Sequence, residues 1–233
     1  MNFEVITYEQ FLANHQRIQA RLQQACEAVG RAPSEVRIMP VTKTHPVDAA
    51  VFAERAGYDV VGENRVQEAL EKIDAGQTRI RWELIGHLQS NKARLAAEKF
   101  DRIQSVDSAK LLRKLNAAAG ELGRRLPILL QVNAGDDPAK FGLDVADTAG
   151  VLELALDMSH IRVDGLMTIA PLAEDPAVAF NCFRRLRDLR DQLAAQFDCS
   201  LPELSMGMSG DLEAAVASGS TMLRVGSAFF GAR

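Results

Sequence analysis

Cysteine is scarce in this sequence and forms no pattern. Cys26, Cys182 and Cys199 are the only three in 233 residues, with no C-x-x-C pair and no cysteine–histidine spacing suited to a metal. That excludes a disulfide scaffold and suits a reducing compartment. Long apolar runs are missing too: no stretch reaches the 18 residues of a membrane-spanning helix. No run or stripe of lysine and arginine stands out, and the net charge is −4, so a nucleic-acid surface has little support. The N-terminus, Met1-Asn2-Phe3-Glu4-Val5, lacks the charged and apolar regions of a targeting signal. A cytoplasmic protein with no nucleic-acid or membrane partner is expected. With 47% hydrophobic and 25% charged residues, the chain can still bury a sizeable core without disulfides or metal.

What is present is organised around Arg37-Ile38-Met39-Pro40-Val41-Thr42-Lys43-Thr44-His45-Pro46. Ile38, Met39 and Val41 form a short buried strand, and Lys43 sits where it stops. A buried lysine with a lowered pKa is a nucleophile, and its first use is a Schiff base with a carbonyl. A lone strand-end lysine is more often solvated, so the rest of the chain must supply the argument.

Apolar face residues Ile18, Leu22, Ala25 and Val29 predict one long helix over Tyr8–Val29, stopped by Gly30. Strands are then expected at Ile38–Val41, Asp59–Val61, Trp82–Ile85, Arg102–Ser105, Pro127–Val132, Val163–Thr168, Leu204–Met206 and Met222–Val225. Helices alternate with them, the first opened by Pro46 and one capped by Asp107 or Ser108. Alternation of this kind predicts a parallel sheet with helical crossovers. Eight units in a chain of this size favour an α/β fold of one (β/α)8 TIM-type barrel spanning residues 1–233, with an extra N-terminal helix. An open doubly wound sheet would be supported by a G-x-G-x-x-G fingerprint after the first strand, and none is present.

Chemistry in such a barrel sits at the strand C-termini. Those ends carry Lys43, Glu63-Asn64, Gly86-His87, Asn133, Met167-Thr168, Met206-Gly207-Met208-Ser209-Gly210 and Gly226-Ser227. The last two are small, glycine-rich loops after strands 7 and 8, a common place for a phosphate. Each alone could be a turn that needs glycine; the pair is stronger. A strand-end lysine facing a phosphate site suggests a ligand with an aldehyde and a phosphate, and pyridoxal 5'-phosphate has both. Arg224 shares Gly226's side of strand 8 by period-2 alternation and could reach the pyridine nitrogen. An arginine only donates, so it would leave that nitrogen unprotonated and the ring a poor electron sink. Asn64 is a ring contact or the cap of the next helix. His87 is a pocket wall or, by preference, a structural histidine. His15 and His160 are expected at the surface, and Lys140, Glu153 and Asp157 in solvent.

Six blocks carry a resemblance: Val41-Thr42-Lys43-Thr44, Gly62-Glu63-Asn64-Arg65-Val66-Gln67-Glu68, Ile85 to Lys92, Gly165-Leu166-Met167-Thr168, Ser205 to Asp211, and Arg224-Val225-Gly226-Ser227. Together, in order over essentially the whole chain, they resemble the pyridoxal phosphate homeostasis proteins, a family similar to the N-terminal barrel of alanine racemase. The resemblance implies cofactor binding on Lys43, phosphate contacts from Ser209, Gly226 and Ser227, and a ring-nitrogen contact from Arg224. Asn64, Met206 and Gly210 complete the expected cofactor-binding set, with no catalytic residue and no metal. It implies a role in vitamin B6 and amino-acid homeostasis without an established reaction. His45 stands where the family often has lysine, Arg65 where it often has tyrosine, and Phe141 where a small residue is common. These departures bear on any lysine relay that hands the cofactor on, and leave the cofactor site intact.

Three functions compete. The first is a monomeric carrier that releases pyridoxal phosphate to apo-enzymes. The second is a pyridoxal phosphate-dependent amino-acid racemase. The third is a barrel for another phosphorylated metabolite, with Lys43 a plain charge. Against the racemase, the sequence has only Tyr8 and Tyr58 and ends after the eighth unit, with no second domain to supply the tyrosine of alanine racemase.

Overall fold

The computed structural model describes residues 6–231. The reading of Met1–Val5 as free of a targeting signal lies outside them. The order is α1 (Tyr8–Ala28), β1 (Arg37–Pro40), α2 (Asp48–Arg55), β2 (Val60–Glu63), α3 (Val66–Asp74), β3 (Arg81–Leu84), α4 (Ala93–Lys99) and β4 (Arg102–Val106). The second half runs α5 (Ala109–Glu121), β5 (Leu126–Gln131), α6 (Thr148–Leu156), β6 (Ile161–Met167), α7 (Pro176–Gln196), β7 (Glu203–Ser205), α8 (Leu212–Ala217), β8 (Met222–Val225) and α9 (Ser227–Phe230). All strand pairs are parallel, in the order β1-β8-β7-β6-β5-β4-β3-β2. The result is a nearly closed (β/α)8 barrel. Its seam lies between β1 and β2, where a single bridge, Val41 to Gly62, stands in place of a ladder.

Local chemistry sets the boundaries. A capping box opens α1: Thr7 N–H donates to Gln10 Oε1 at 2.7 Å, and Gln10 N–H donates to Thr7 Oγ1 at 3.3 Å. Gly30, at φ +70°, ends that helix as expected. Ser108, rather than Asp107, caps α5 by accepting the Leu111 N–H. Pro46 does not lie in the first turn of α2, which begins at Asp48; a tighter turn, with Ala49 N–H donating to the Pro46 carbonyl, leads into it. Between the sheet and the helices lies the main apolar core, with Phe11, Phe100, Phe183 and Phe229 fully buried. A small second cluster, Met39, Val41, Val60, Ile85 and Met222, is separate from it.

α1 packs against α8 and α9 and is latched to the segments around α8. Arg31 donates to the carbonyls of Val216 and Ser220 at 2.8 and 3.0 Å. Arg21 pairs with Glu213 and donates to the Ser209 carbonyl at 2.6 Å. The extra helix therefore fixes the loop after β7. His15 is half-buried rather than superficial: its Nδ1 lies 2.9 Å from the Tyr58 hydroxyl, and the burial lowers its pKa.

Candidate functional site

A cavity of about 900 Å³ opens at the C-terminal ends of the strands. Lys43, Asn64, Ser209, Gly210, Arg224, Gly226 and Ser227 all line it. Met206 does not. Its side chain is fully buried in the main apolar core, because alternation along β7 turns it away from Ser205.

Arg224 is the most constrained of these groups. It is 3% exposed, and its hydrogen-bond partners among the described residues are neutral: the Ser205 hydroxyl at 2.8 Å and the Thr168 carbonyl at 2.7 Å. Burial pulls its pKa down to about 10, with the Asp211 charge opposing the fall, so the guanidinium stays a cation at neutral pH. A buried cation whose hydrogen bonds among the described residues go to neutral groups, at a cavity wall, is suited to a ligand acceptor. Ser205 is itself oriented by a buried chain: it donates to Gln104 Oε1 at 2.6 Å, and Gln104 donates to Glu83 at 2.6 Å. Arg102 completes the chain by pairing with Glu83 at 2.9 Å.

The loops after β7 and β8 meet at one corner. Ser209 Oγ accepts the Ala228 N–H at 3.3 Å, which leaves the hydroxyl proton for another acceptor. Glycines 207, 210 and 226 play different parts. Gly207 has φ +94°, and a Cβ there would lie 2.3 Å from the Ala215 methyl, so the fold requires it. At Gly210 a Cβ would meet nothing within 4 Å, and at Gly226 only ordinary contact with Val41 at 3.5 Å. Neither has the positive φ of a turn that demands glycine. Their missing side chains leave room on the cavity side, where a ligand can approach the backbone.

Past β1, at the end of β2, Asn64 does not cap α3; Arg65 occupies that position. The chain at Asn64 lies directly over Gly86, whose Cβ would fall 2.2 Å from the Asn64 carbonyl oxygen. His87 lines the cavity and is also satisfied: Nδ1 lies 2.9 Å from Asp107, and the ring stacks on Phe141 at 3.8 Å. Lys140 was expected in solvent but lines the cavity too, half-buried. His45 is a wall residue, its ring tilted against Phe230 at 4.9 Å. Arg65 is exposed. Glu153 and Asp157 are exposed, as expected.

Sequence reasoning placed Glu63 and Thr168 at strand ends but gave them no role, and it gave none to Ser205, Glu68 or Lys72, which hold the site rather than line it. Ser205 and Thr168 grip Arg224, and Glu63, Glu68 and Lys72 surround the chain at Lys43. One signal was available. Val66, Ala69 and Lys72 lie three apart on α3, so a lysine shares the buried face of an amphipathic helix.

Comparison with known proteins places the chain in a family. The family model described as "Alanine racemase, N-terminal domain" matches residues 13–233. A protein of Vibrio alginolyticus named pyridoxal phosphate homeostasis protein is 37% identical over 225 residues, covering 94% of this chain and 96% of its own. A crystal structure of an unknown protein from Bifidobacterium adolescentis superposes with TM-score 0.91 at 33% identity, covering 98% of both chains. PipY of Synechococcus elongatus, with PLP bound, gives TM-score 0.80 at 40% identity, covering 90% of this chain and 100% of that one.

Proposed function

Since the chain belongs to the family of pyridoxal phosphate homeostasis proteins, we propose that it binds pyridoxal 5'-phosphate as a Schiff base on Lys43 and releases it to apo-enzymes. The observation that carries this reading is the convergence of Lys43, Arg224 and the two small-residue loops on one cavity. When bound, the cofactor supplies an aldehyde and a phosphate on one aromatic ring. The residues fit each part. The Lys43 amine would hold the aldehyde carbon, with the carbonyl oxygen released as water. Hydrolysis reverses the step and returns both partners intact, as a carrier requires. Ser209, Gly210, Gly226 and Ser227 take the phosphate with hydroxyl and backbone donors. Arg224 donates to the ring nitrogen, and Asn64 flanks the ring.

The proposal covers residues 1–233 as one cofactor-binding domain, acting as a monomer in the cytoplasm in vitamin B6 and amino-acid homeostasis. Titration with pyridoxal phosphate should raise a near-ultraviolet or visible absorbance band, and borohydride should fix one cofactor on the peptide containing Lys43. Loaded protein should then activate an apo-enzyme that depends on pyridoxal phosphate. Binding without the band or the fixed mass would leave only a phosphate-binding barrel.

The phosphate corner is tested separately. Ser209→Ala removes one hydroxyl donor to a charged group, worth roughly 1.5–3 kcal/mol, or about ten- to a hundredfold in affinity. Affinity for unphosphorylated pyridoxal should hardly change. Equal losses for both ligands would move the phosphate away from Ser209.

A further inference from the structure

Lys43 sits at the barrel's seam, where β1 and β2 share only the Val41–Gly62 bridge. A buried polar cluster holds the chain there instead. Thr42 is fully buried, and its N–H donates to the Gly62 carbonyl at 3.0 Å. Its hydroxyl donates to Glu63 Oε1 at 2.5 Å, and its carbonyl accepts from Lys72 Nζ at 2.8 Å. Lys72 is 7% exposed and also donates to Glu63 Oε1 at 2.6 Å and to Glu68 Oε1 at 3.0 Å. Its three protons thus have three acceptors. Glu68 Oε1 in turn accepts the Thr44 N–H. The residues on both sides of Lys43 are therefore tied to one ammonium and its two carboxylates.

Two features mark this cluster as more than filler. Thr44 has φ +65°, a left-handed conformation that a β-branched residue adopts only when its surroundings impose it. Glu63 Oε2 is buried with no hydrogen-bond partner among the described residues, and burial pushes this carboxyl's pKa up against the pull of Lys72 and Thr42. A buried ion pair seldom adds stability over an apolar replacement, and its better-attested use is to fix one conformation. Here the conformation fixed is that of residues 42–44.

We propose that Lys72, with Glu63 and Glu68, is a positioning group for Lys43, holding the 42–44 backbone so that the Lys43 amine is presented to a carbonyl ligand. This rests on the reading of Lys43 as the carbonyl-capturing amine. The anion corner belongs to β7 and β8 and does not share these bonds. Loss of the cluster should therefore slow covalent capture while sparing non-covalent phosphate binding.

The test uses Glu68→Gln, at a partly exposed position, and the charge-neutral double variant Lys72→Met/Glu63→Gln. Each is compared with wild type for the rate of borohydride-fixed pyridoxal phosphate on Lys43 and for affinity toward 4-deoxypyridoxine phosphate, which has no carbonyl. Amide exchange at Thr44 is followed alongside. Misplacing a reacting atom by about 1 Å costs up to about a hundredfold, so capture should slow roughly ten- to a hundredfold while the carbonyl-free ligand holds within about twofold. Thr44 exchange should quicken in both variants. Unchanged capture overturns the proposal. So does a parallel loss of capture, carbonyl-free affinity and melting temperature, which would mark a merely structural cluster. If the double variant does not fold, Glu68→Gln alone decides. Absence of fixed cofactor on wild-type Lys43 sinks the functional reading instead, and this inference with it.

Discussion

Lys43→Ala is expected to lose covalent capture of pyridoxal phosphate completely. The absorbance band should vanish, and borohydride should fix no mass on the peptide spanning residue 43. The reason is chemical: on the proposed reading the bond is made by the Lys43 amine, and no other cavity-lining lysine lies near the seam. Lys140 is the other lysine among the cavity's walls, and it belongs to the loop after β5, across the barrel from β1. The proposed phosphate and ring contacts do not involve residue 43, so non-covalent binding should persist at reduced affinity. Mass spectrometry after reduction reads both results. Wild-type stoichiometry of fixed cofactor in Lys43→Ala would show that Lys43 is not the capturing amine. Transfer of the label to Lys140 would show a ligand free to turn in the cavity.

The strands were legible because each is a short apolar run between turn residues, and the sheet buries both faces. Their ends were less so. β2 runs through Gly62 and Glu63, which look like loop residues. Glu63 can lie fully buried only because Lys72 pairs with it from α3, and such pairing leaves no mark on local periodicity. α9 was missed because it spans only four residues and begins on Ser227, within an expected loop. Arg224 was found by alternation along β8. The same rule, applied to β7, would have turned Met206 away from the cavity and pointed to Ser205. Lys140 and His87 show the other limit. Each has an ordinary solvated or structural reading, and only the fold brings both to one cavity.

Racemisation of free amino acids is expected to be negligible, although the cavity is suited to the racemase cofactor. The reaction removes the α-proton from one face and returns it from the other, so it needs two acid/base groups. In alanine racemase the second is a tyrosine, and both tyrosines here are engaged elsewhere. Tyr8 packs among Phe11 and Phe52, with the Arg55 guanidinium 3.8 Å from its ring centre. Tyr58 is bonded to His15 and set edge-on to Phe229, and burial pushes its pKa up to about 12. Neither lines the cavity. His87 does, but it is paired with Asp107 and covered by Phe141. Arg224 adds an electronic reason. Its pKa near 10 keeps it a donor at neutral pH, so a ring nitrogen bonded to it stays unprotonated and withdraws electrons weakly. The measurement is incubation of loaded protein with single-enantiomer alanine and a panel of other amino acids in heavy water, following α-proton exchange and chiral composition. Slow exchange without inversion fits one available base. Inversion at about 1–1000 per second, the ordinary enzyme range, would sink the carrier reading and make His87 the first residue to replace.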